Sequence, residues 1–124
     1  MSELKNQISQ FIDTKAKVYQ DISLAIHAKP EVSDFEYFAS QTLSEQLKKE
    51  GFEIELPAAG HRTGFAATYK SNKPGPTVVF LAEYDALAGL GHGCGHNVFG
   101  ATSSLAGAAL KSVVDQIGGE VRVY

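Results

Sequence analysis

The sequence is short of several features that mark common classes of protein. It has one cysteine in 124 residues, so no disulfide can form within the chain, which suits a reducing compartment. It has no run of about 18 apolar residues, which a membrane-spanning helix would need. Its polar N-terminus, MSELKNQISQ, lacks the apolar core of a secretory signal. We therefore expect a cytoplasmic protein with no membrane partner.

Positive charge is also scarce. The chain has 11 Lys and Arg residues against 14 Asp and Glu residues, for a net charge of −3. Since no basic cluster stands out, we expect no nucleic-acid partner. Hydrophobic residues make up 44% of the chain and charged residues 20%, which is typical of a globular protein. The length fits one domain with one modest core.

The spacing of apolar residues predicts three helices. A long amphipathic pattern predicts the first helix over residues 4–26. Ser33, followed three residues later by Glu36, has the spacing of a capping box and predicts the start of a second helix. Gly51 is a natural stop for that helix. The third predicted helix, over residues 98–116, is rich in Ala, Gly and Ser, which allow close packing on a sheet.

Four segments have the patterns of β-strands. Residues 52–56 and 120–124 alternate between apolar and polar side chains, and residues 64–70 are a further candidate. The continuous apolar run at 77–82 predicts a strand buried on both faces. The final order of strand, loop, helix and strand predicts a parallel βαβ unit, so we expect an α/β fold with a mixed sheet.

The residues with chemical potential follow the strand predicted at 77–82. In open α/β sheets, ligands bind beyond the carboxyl ends of the strands. At this position the chain reads EYDALAGLGHGCGHN, residues 83–97. Its potential donors are Glu83, Asp85, His92, Cys94 and His96.

Thiolate and imidazole groups in this segment indicate a metal site. Both are good ligands for zinc and similar ions. Cys94 and His96 are two residues apart, so an extended backbone would project them to one side. Gly93 and Gly95 would relax the backbone around them. A stable site needs three or four ligands, however, and the loop offers only two strong ones.

The two carboxylates upstream have the same spacing. Glu83 and Asp85 can therefore point together, and carboxylates commonly orient the imidazoles that bind a metal. In a less specific reading, both are ordinary loop carboxylates.

Other interpretations of the loop stay open at this point. Cys94 could be a nucleophile activated by His92 or His96, although catalytic pairs usually come from separate segments. A phosphate cradle is disfavoured, because the G-x-G-x-x-G spacing from Gly91 puts His96 at the sixth position. A single cysteine can also be simply a small hydrophobic residue.

Three separated stretches resemble a known family. They are HAKPEVSDFE at 27–36, FLAEYDAL at 80–87 and GHGCGHN at 91–97. Together, and in this order, they resemble the amidohydrolase branch of the aminoacylase-type metallopeptidases, peptidase family M20. That branch includes hippurate, auxin-conjugate and aminobenzoyl-glutamate hydrolases and related dipeptidases. The resemblance extends over nearly the whole chain.

The resemblance implies a fold and an organisation. Residues 1–124 would form the N-terminal segment of a three-layer α/β/α catalytic domain. A lid domain that carries the oligomer interface, and the rest of the catalytic domain, would lie beyond this chain. The full-length protein would then be a homo-oligomer.

The resemblance also implies roles for residues. Cys94 and His96 match metal ligands, and Asp85 matches the carboxylate behind the metal centre. Glu83 falls where more distant aminoacylases have a histidine ligand, so Glu83, with His92, would bind a second metal or shape the pocket. One or two divalent ions, Zn, Mn or Co, would be bound per full-length protomer.

The activity implied is hydrolysis of the amide bond in N-acyl amino acids or short peptides. In this family the general base is a glutamate from a later Glu-Glu pair, which would lie beyond Tyr124. This segment alone is therefore expected to be inactive. The alternative is a non-catalytic α/β binding module that keeps the family fold.

Overall fold

The computed structural model describes residues 2–124 and has the predicted α/β class. Its elements in chain order are α1 (Glu3–Ala28), α2 (Tyr37–Lys49), β1 (Glu53–Glu55), β2 (Ala66–Lys70), β3 (Thr77–Phe80), α3 (His96–Ile117) and β4 (Glu120–Val123). No helix within residues 2–124 is long and apolar enough to cross a membrane.

The four strands form one mixed sheet in the order β1-β2-β4-β3. β2 pairs antiparallel with both β1 and β4, whereas β3 pairs with β4 in parallel. The mixed sheet and the parallel βαβ unit formed by β3, α3 and β4 are therefore confirmed. Two parallel strands need a long crossover connection, and α3 provides it between β3 and β4.

The helices cover one face of this sheet. Ala67, Val121 and Val123 point to that face and are fully buried. Gly107 of α3 lies so close to the sheet that an added Cβ would be 2.4 Å from Cγ2 of Val123. The small side chains of α3 thus allow the close helix–sheet contact that its composition indicates.

The opposite face of the sheet carries mainly polar residues. The strand register places Glu53, Thr68 and Arg122 on it, and none of these is buried. The described residues accordingly contain two layers, one of helices and one of strands. The third layer of the expected sandwich stays a prediction.

One prediction about the sheet is wrong: β3 is not buried on both faces. Val78 and Val79 are 39% and 41% exposed, respectively. The apolar run suggested an interior strand, but β3 lies at the edge of the sheet and pairs only with β4 among residues 2–124. An edge strand has a neighbour on one side only, so its side chains are less covered.

The capping box predicted for α2 is also wrong. The helix begins at Tyr37, after Asp34 adopts a left-handed backbone with a φ of 71°. Neither Ser33 nor Glu36 caps it through its side chain. Instead, the carboxylate of Glu31 accepts hydrogen bonds from the backbone N–H groups of α2 at Phe38 and Ala39, at 2.9 and 3.0 Å. A carboxylate at this helix end also complements the helix dipole.

Candidate metal-binding site

The two upstream carboxylates lie just beyond the carboxyl end of β3. The strand ends at Phe80 rather than at residue 82, and residues 81–85 have no regular structure. α3 packs tightly against this segment, since a Cβ added at Gly100 would be 3.1 Å from the carbonyl oxygen of Glu83. The close approach brings the N-terminal turn of α3 beside Glu83 and Asp85.

His96 is the first residue of α3, which begins two residues earlier than predicted. Gly95 precedes it with a φ of 77°, a left-handed conformation that glycine adopts without steric cost. The backbone at 92–95 is therefore a turn. The expectation that Cys94 and His96 project together from an extended backbone is wrong. Gly93 does not have a positive φ, and an added Cβ there would lie 2.9 Å from the side chain of Leu90.

The imidazole of His96 lies between the two carboxylates. Its Nδ1 is 2.7 Å from Oδ1 of Asp85, and its Nε2 is 3.1 Å from Oε2 of Glu83. If Nδ1–H donates to Asp85, a neutral ring presents the lone pair of Nε2 to the Glu83 carboxylate. Two acceptors at that distance repel each other unless a cation lies between or beside them. A metal ion bound by both atoms would remove this repulsion.

This donor pair fits a divalent metal. In a tetrahedral zinc site with bonds of about 2.0–2.1 Å, two ligand atoms lie roughly 3.3 Å apart. The 3.1 Å between His96 Nε2 and Glu83 Oε2 is close to that spacing. The hydrogen bond to Asp85 would fix the ring in the tautomer that leaves Nε2 free to bind.

Cys94 is not part of this group in the structure. Its side chain is exposed on the turn before α3. Within residues 2–124, no three His, Cys, Asp or Glu side chains converge on a point where one ion could be held. The structure thus brings together three of the five predicted site residues, namely His96, Asp85 and Glu83.

His92, the fifth predicted residue, lies against α1. Its ring stacks on that of His27, with centroids 6.2 Å apart. Neither ring nitrogen of His92 has a hydrogen-bond partner within the described chain. Burial lowers the pKa of His92, and the nearby His27 lowers it further. The backbone of Ile26 acts in the opposite direction, although it forms no hydrogen bond with the His92 ring.

These contacts disfavour the thiol-nucleophile interpretation. A catalytic cysteine needs a base within hydrogen-bond reach. The nitrogens of His96 face Asp85 and Glu83, and those of His92 have no partner in residues 2–124. No Cys–His pair is formed within that part of the chain.

Sequence reasoning missed a hydrogen-bonded chain behind the site. Tyr84 Oη donates to the carbonyl of Thr63 at 2.6 Å, and Thr63 Oγ1 donates to Glu36 at 3.0 Å. Burial raises the pKa of Tyr84 above its usual range, and Glu36 adds to the shift. The position of Tyr84 between Glu83 and Asp85 was the one sequence signal that could have drawn attention to it. Its partners lie too far away in the chain to be inferred from spacing.

Asn97 is a second residue that sequence reasoning missed. Its side chain is buried and donates to Oγ of Ser23 on α1 at 3.1 Å. It directly follows His96, so this bond ties the first turn of α3 to α1. Asn97 stands in the GHGCGHN motif, but its partner lies 74 positions away in the chain.

A polar cavity adjoins the carboxylates. It has a volume of about 270 Å³, and Glu83 and Asp85 line one side of it. Glu36, His61 and Thr63 line another part. A small polar molecule could therefore reach the carboxylates from this side.

Several known proteins are similar to this chain in sequence and in fold. The chain is 32% identical over its full length to a component of the p-aminobenzoyl-glutamate hydrolase of Escherichia coli. The chain is a homologue of the M20 family peptidases. It is also 34% identical to mouse Xaa-Arg dipeptidase over 92% of the chain. A solved structure described as an aminohydrolase of methicillin-resistant Staphylococcus aureus matches 95% of it, with 28% identity and a TM-score of 0.81.

The match to M20 proteins covers only part of those proteins. The chain spans 29% of the E. coli hydrolase component, 28% of the mouse dipeptidase and 33% of the S. aureus structure. No protein-family model matches the chain. The predicted resemblance to the aminoacylase-type family is confirmed, and relatives of this chain are enzymes that hydrolyse amide bonds.

Proposed function

We propose that this chain is the metal-binding part of an amidohydrolase that cleaves N-acyl amino acids or short peptides. The observation that carries the proposal is the position of the His96 ring, with Asp85 at one nitrogen and Glu83 at the other. The names of the E. coli and mouse relatives, a hydrolase of an acylated glutamate and a dipeptidase, support this substrate class.

In this proposal each residue has a defined role. His96 would bind a divalent ion through Nε2, and Asp85 would hold its ring through Nδ1. Cys94 would be the second ligand. Glu83 and His92 would each bind a second metal or shape the pocket. The remaining donors come from outside this segment.

The reaction is amide hydrolysis. A bound Zn, Mn or Co ion would make a water molecule more acidic and polarise the amide carbonyl. The polar cavity beside Glu83 and Asp85 would admit the substrate. A proton acceptor for the water is supplied by the rest of the enzyme, so residues 1–124 alone are inactive. We further propose that the whole protein is a cytoplasmic homo-oligomer.

Chelation of the complete protein tests this proposal. We expect hydrolysis of p-aminobenzoyl-glutamate or of a short dipeptide series to cease after dialysis against a chelator. Activity should return when Zn, Mn or Co is added back. The variant His96→Ala should show neither bound metal nor recovery, whereas Asp13→Ala, at an exposed position of α1, should recover as the wild type does. Full activity in the chelated wild type would refute the proposal.

A non-catalytic binding module is the second candidate. The observation in its favour is that no three donor side chains converge within residues 2–124. Calorimetry with the same compounds separates the two: a binding module would bind them with no turnover at any metal concentration.

A further inference from the structure

The stretch HAKPEVSDFE is the one motif of the resemblance that supplies no ligand to the proposed site. The structure connects two of its acids to the segment that carries Asp85, Glu31 directly and Glu36 through Thr63. Both chain neighbours of Asp85 are held by hydrogen bonds that lead back to this stretch.

On the C-terminal side of Asp85, the contact is direct. The backbone N–H of Ala86 donates to the carbonyl oxygen of Glu31 at 2.7 Å. Val32 and Ala86 also form an isolated parallel β-bridge. The backbone just after Asp85 is thus paired with residues 31–32 as in a short sheet.

Glu31 is itself fixed by its side chain. Its two carboxylate oxygens accept from two successive backbone N–H groups at the start of α2, at 2.9 and 3.0 Å. Bonds between a carboxylate and backbone N–H groups are stronger than neutral ones. One residue therefore joins the rigid end of α2, through its side chain, to the backbone beside Asp85, through its carbonyl.

On the N-terminal side of Asp85, the contact runs through two residues. Tyr84 Oη donates to the Thr63 carbonyl, and the Thr63 hydroxyl donates to Glu36. Because this second contact leads to the same stretch, Asp85 is held on both sides.

We infer that Glu31 is a positioning residue for Asp85: its carboxylate, anchored on α2, sets the backbone from which Asp85 reaches the His96 ring. The expected effect on catalysis rests on the proposed function, whereas the expected effect on structure does not. Removing the carboxylate should free residue 31, lengthen the contact with Ala86 and loosen the Asp85–His96 pair. Displacement of a catalytic group by about 1 Å can cost about 100-fold in rate.

The test compares Glu31→Ala and Glu31→Gln in the complete protein. Glutamine keeps one acceptor oxygen for the α2 backbone, so it should restore most of the function that alanine removes. Two controls match the change. Glu45→Ala removes an exposed carboxylate of α2, which accepts a hydrogen bond from Gln41. Val113→Ala destabilises the core of α3 far from the site.

Hydrogen–deuterium exchange of the peptide containing residues 83–87 is the first measurement. We expect Glu31→Ala to speed its exchange about tenfold while β4 stays protected, because only a local opening is involved. The two controls should leave this peptide unchanged. Equal exchange in Glu31→Ala and the wild type would overturn the inference. Selective loss of protection at 83–87 would support it even if the wild type hydrolysed nothing.

The split between kcat and KM is the second measurement, with p-aminobenzoyl-glutamate as the probe and zinc at saturation. We expect Glu31→Ala to lower kcat about 10- to 100-fold with little change in KM, and Glu31→Gln to recover most of it. A purely structural role would instead give the same kcat per folded molecule as Val113→Ala. That result would overturn the inference, whereas an inactive wild type would refute only the proposed function.

Discussion

Nδ1 of His96 lies 2.7 Å from Oδ1 of Asp85, across the turn that connects β3 to α3. The two residues are 11 positions apart in the chain. A carboxylate that accepts a hydrogen bond from one imidazole nitrogen leaves the other nitrogen of a neutral ring free to bind a metal. Here that other nitrogen faces Glu83. The proposed metal binding depends on that arrangement.

Asp85→Asn should weaken metal binding without unfolding the protein. An amide cannot stabilise the Nδ1–H tautomer as a carboxylate does, so we expect the affinity for zinc to fall about 10- to 100-fold. Competition titration with a chromophoric chelator measures this. Asp13→Asn, an exposed change on α1, is the matched control, and equal affinities in both variants would show that Asp85 does not orient His96.

Cys94→Ala should reduce the metal content of the complete protein, and Cys94→Ser should do so to a similar extent, since a hydroxyl is a much poorer zinc ligand than a thiolate. Stability should hardly change because the Cys94 side chain is exposed. Elemental analysis after size-exclusion chromatography gives the stoichiometry. Unchanged metal content in both variants would remove Cys94 from the ligand set.

The buried Tyr84 predicts a loss of stability in alkali. Burial raises its pKa in the folded state, whereas in the unfolded chain a tyrosine ionises near pH ~10. The stabilisation is complete below that pH. It is lost as the pH rises from the tyrosine pKa in the unfolded chain toward the higher Tyr84 pKa in the folded protein. Over this range the unfolded state releases the proton, whereas the folded state retains it.

Tyr84→Phe provides the check on this prediction. At neutral pH the variant should be less stable by about 1 kcal/mol, because it loses the hydrogen bond to Thr63. Its stability should fall less steeply than that of the wild type between about pH 10 and 12. Urea unfolding across this range measures both slopes, and identical slopes would contradict the assignment.

Gly107→Ala should destabilise the fold although alanine is the better helix former. The added Cβ would be 2.4 Å from Val123 Cγ2, so α3 or β4 must shift, at a cost of about 1–3 kcal/mol. Thr102→Ala, at an exposed position of α3, should change stability by less than about 0.5 kcal/mol. Denaturant midpoints compare the two. A Gly107→Ala protein as stable as the wild type would show that the helix–sheet contact is looser than described.

Much of the fold was predictable because it depends on local signals. The three helices and four strands follow from apolar periodicity and from stops such as Gly51, which has a φ of 102° just after α2. The exposure of β3 was not predictable, since an apolar run does not reveal whether a strand lies inside a sheet or at its edge. The cap of α2 was missed for a similar reason, because Glu31 lies outside the capping-box spacing and reaches the helix through a bend at Asp34.

The candidate site was predictable only in part. The rule that ligands bind beyond strand ends placed Glu83, Asp85 and His96 at one edge, and the structure brings these three together. That rule could not show that α3 begins at His96, because it does not predict the left-handed conformation of Gly95. The convergence of Cys94 with His96 stays a prediction, and its support is the family resemblance.

X-ray absorption at the zinc edge of the zinc-loaded, complete protein identifies the atoms that bind the ion. We expect one sulfur at about 2.3 Å and nitrogen or oxygen ligands at about 2.0–2.1 Å. The sulfur signal should be absent in Cys94→Ala, and the imidazole signal should be reduced in His96→Ala. A spectrum with no sulfur ligand in the wild type, or one left unchanged by both substitutions, would contradict the proposed metal binding.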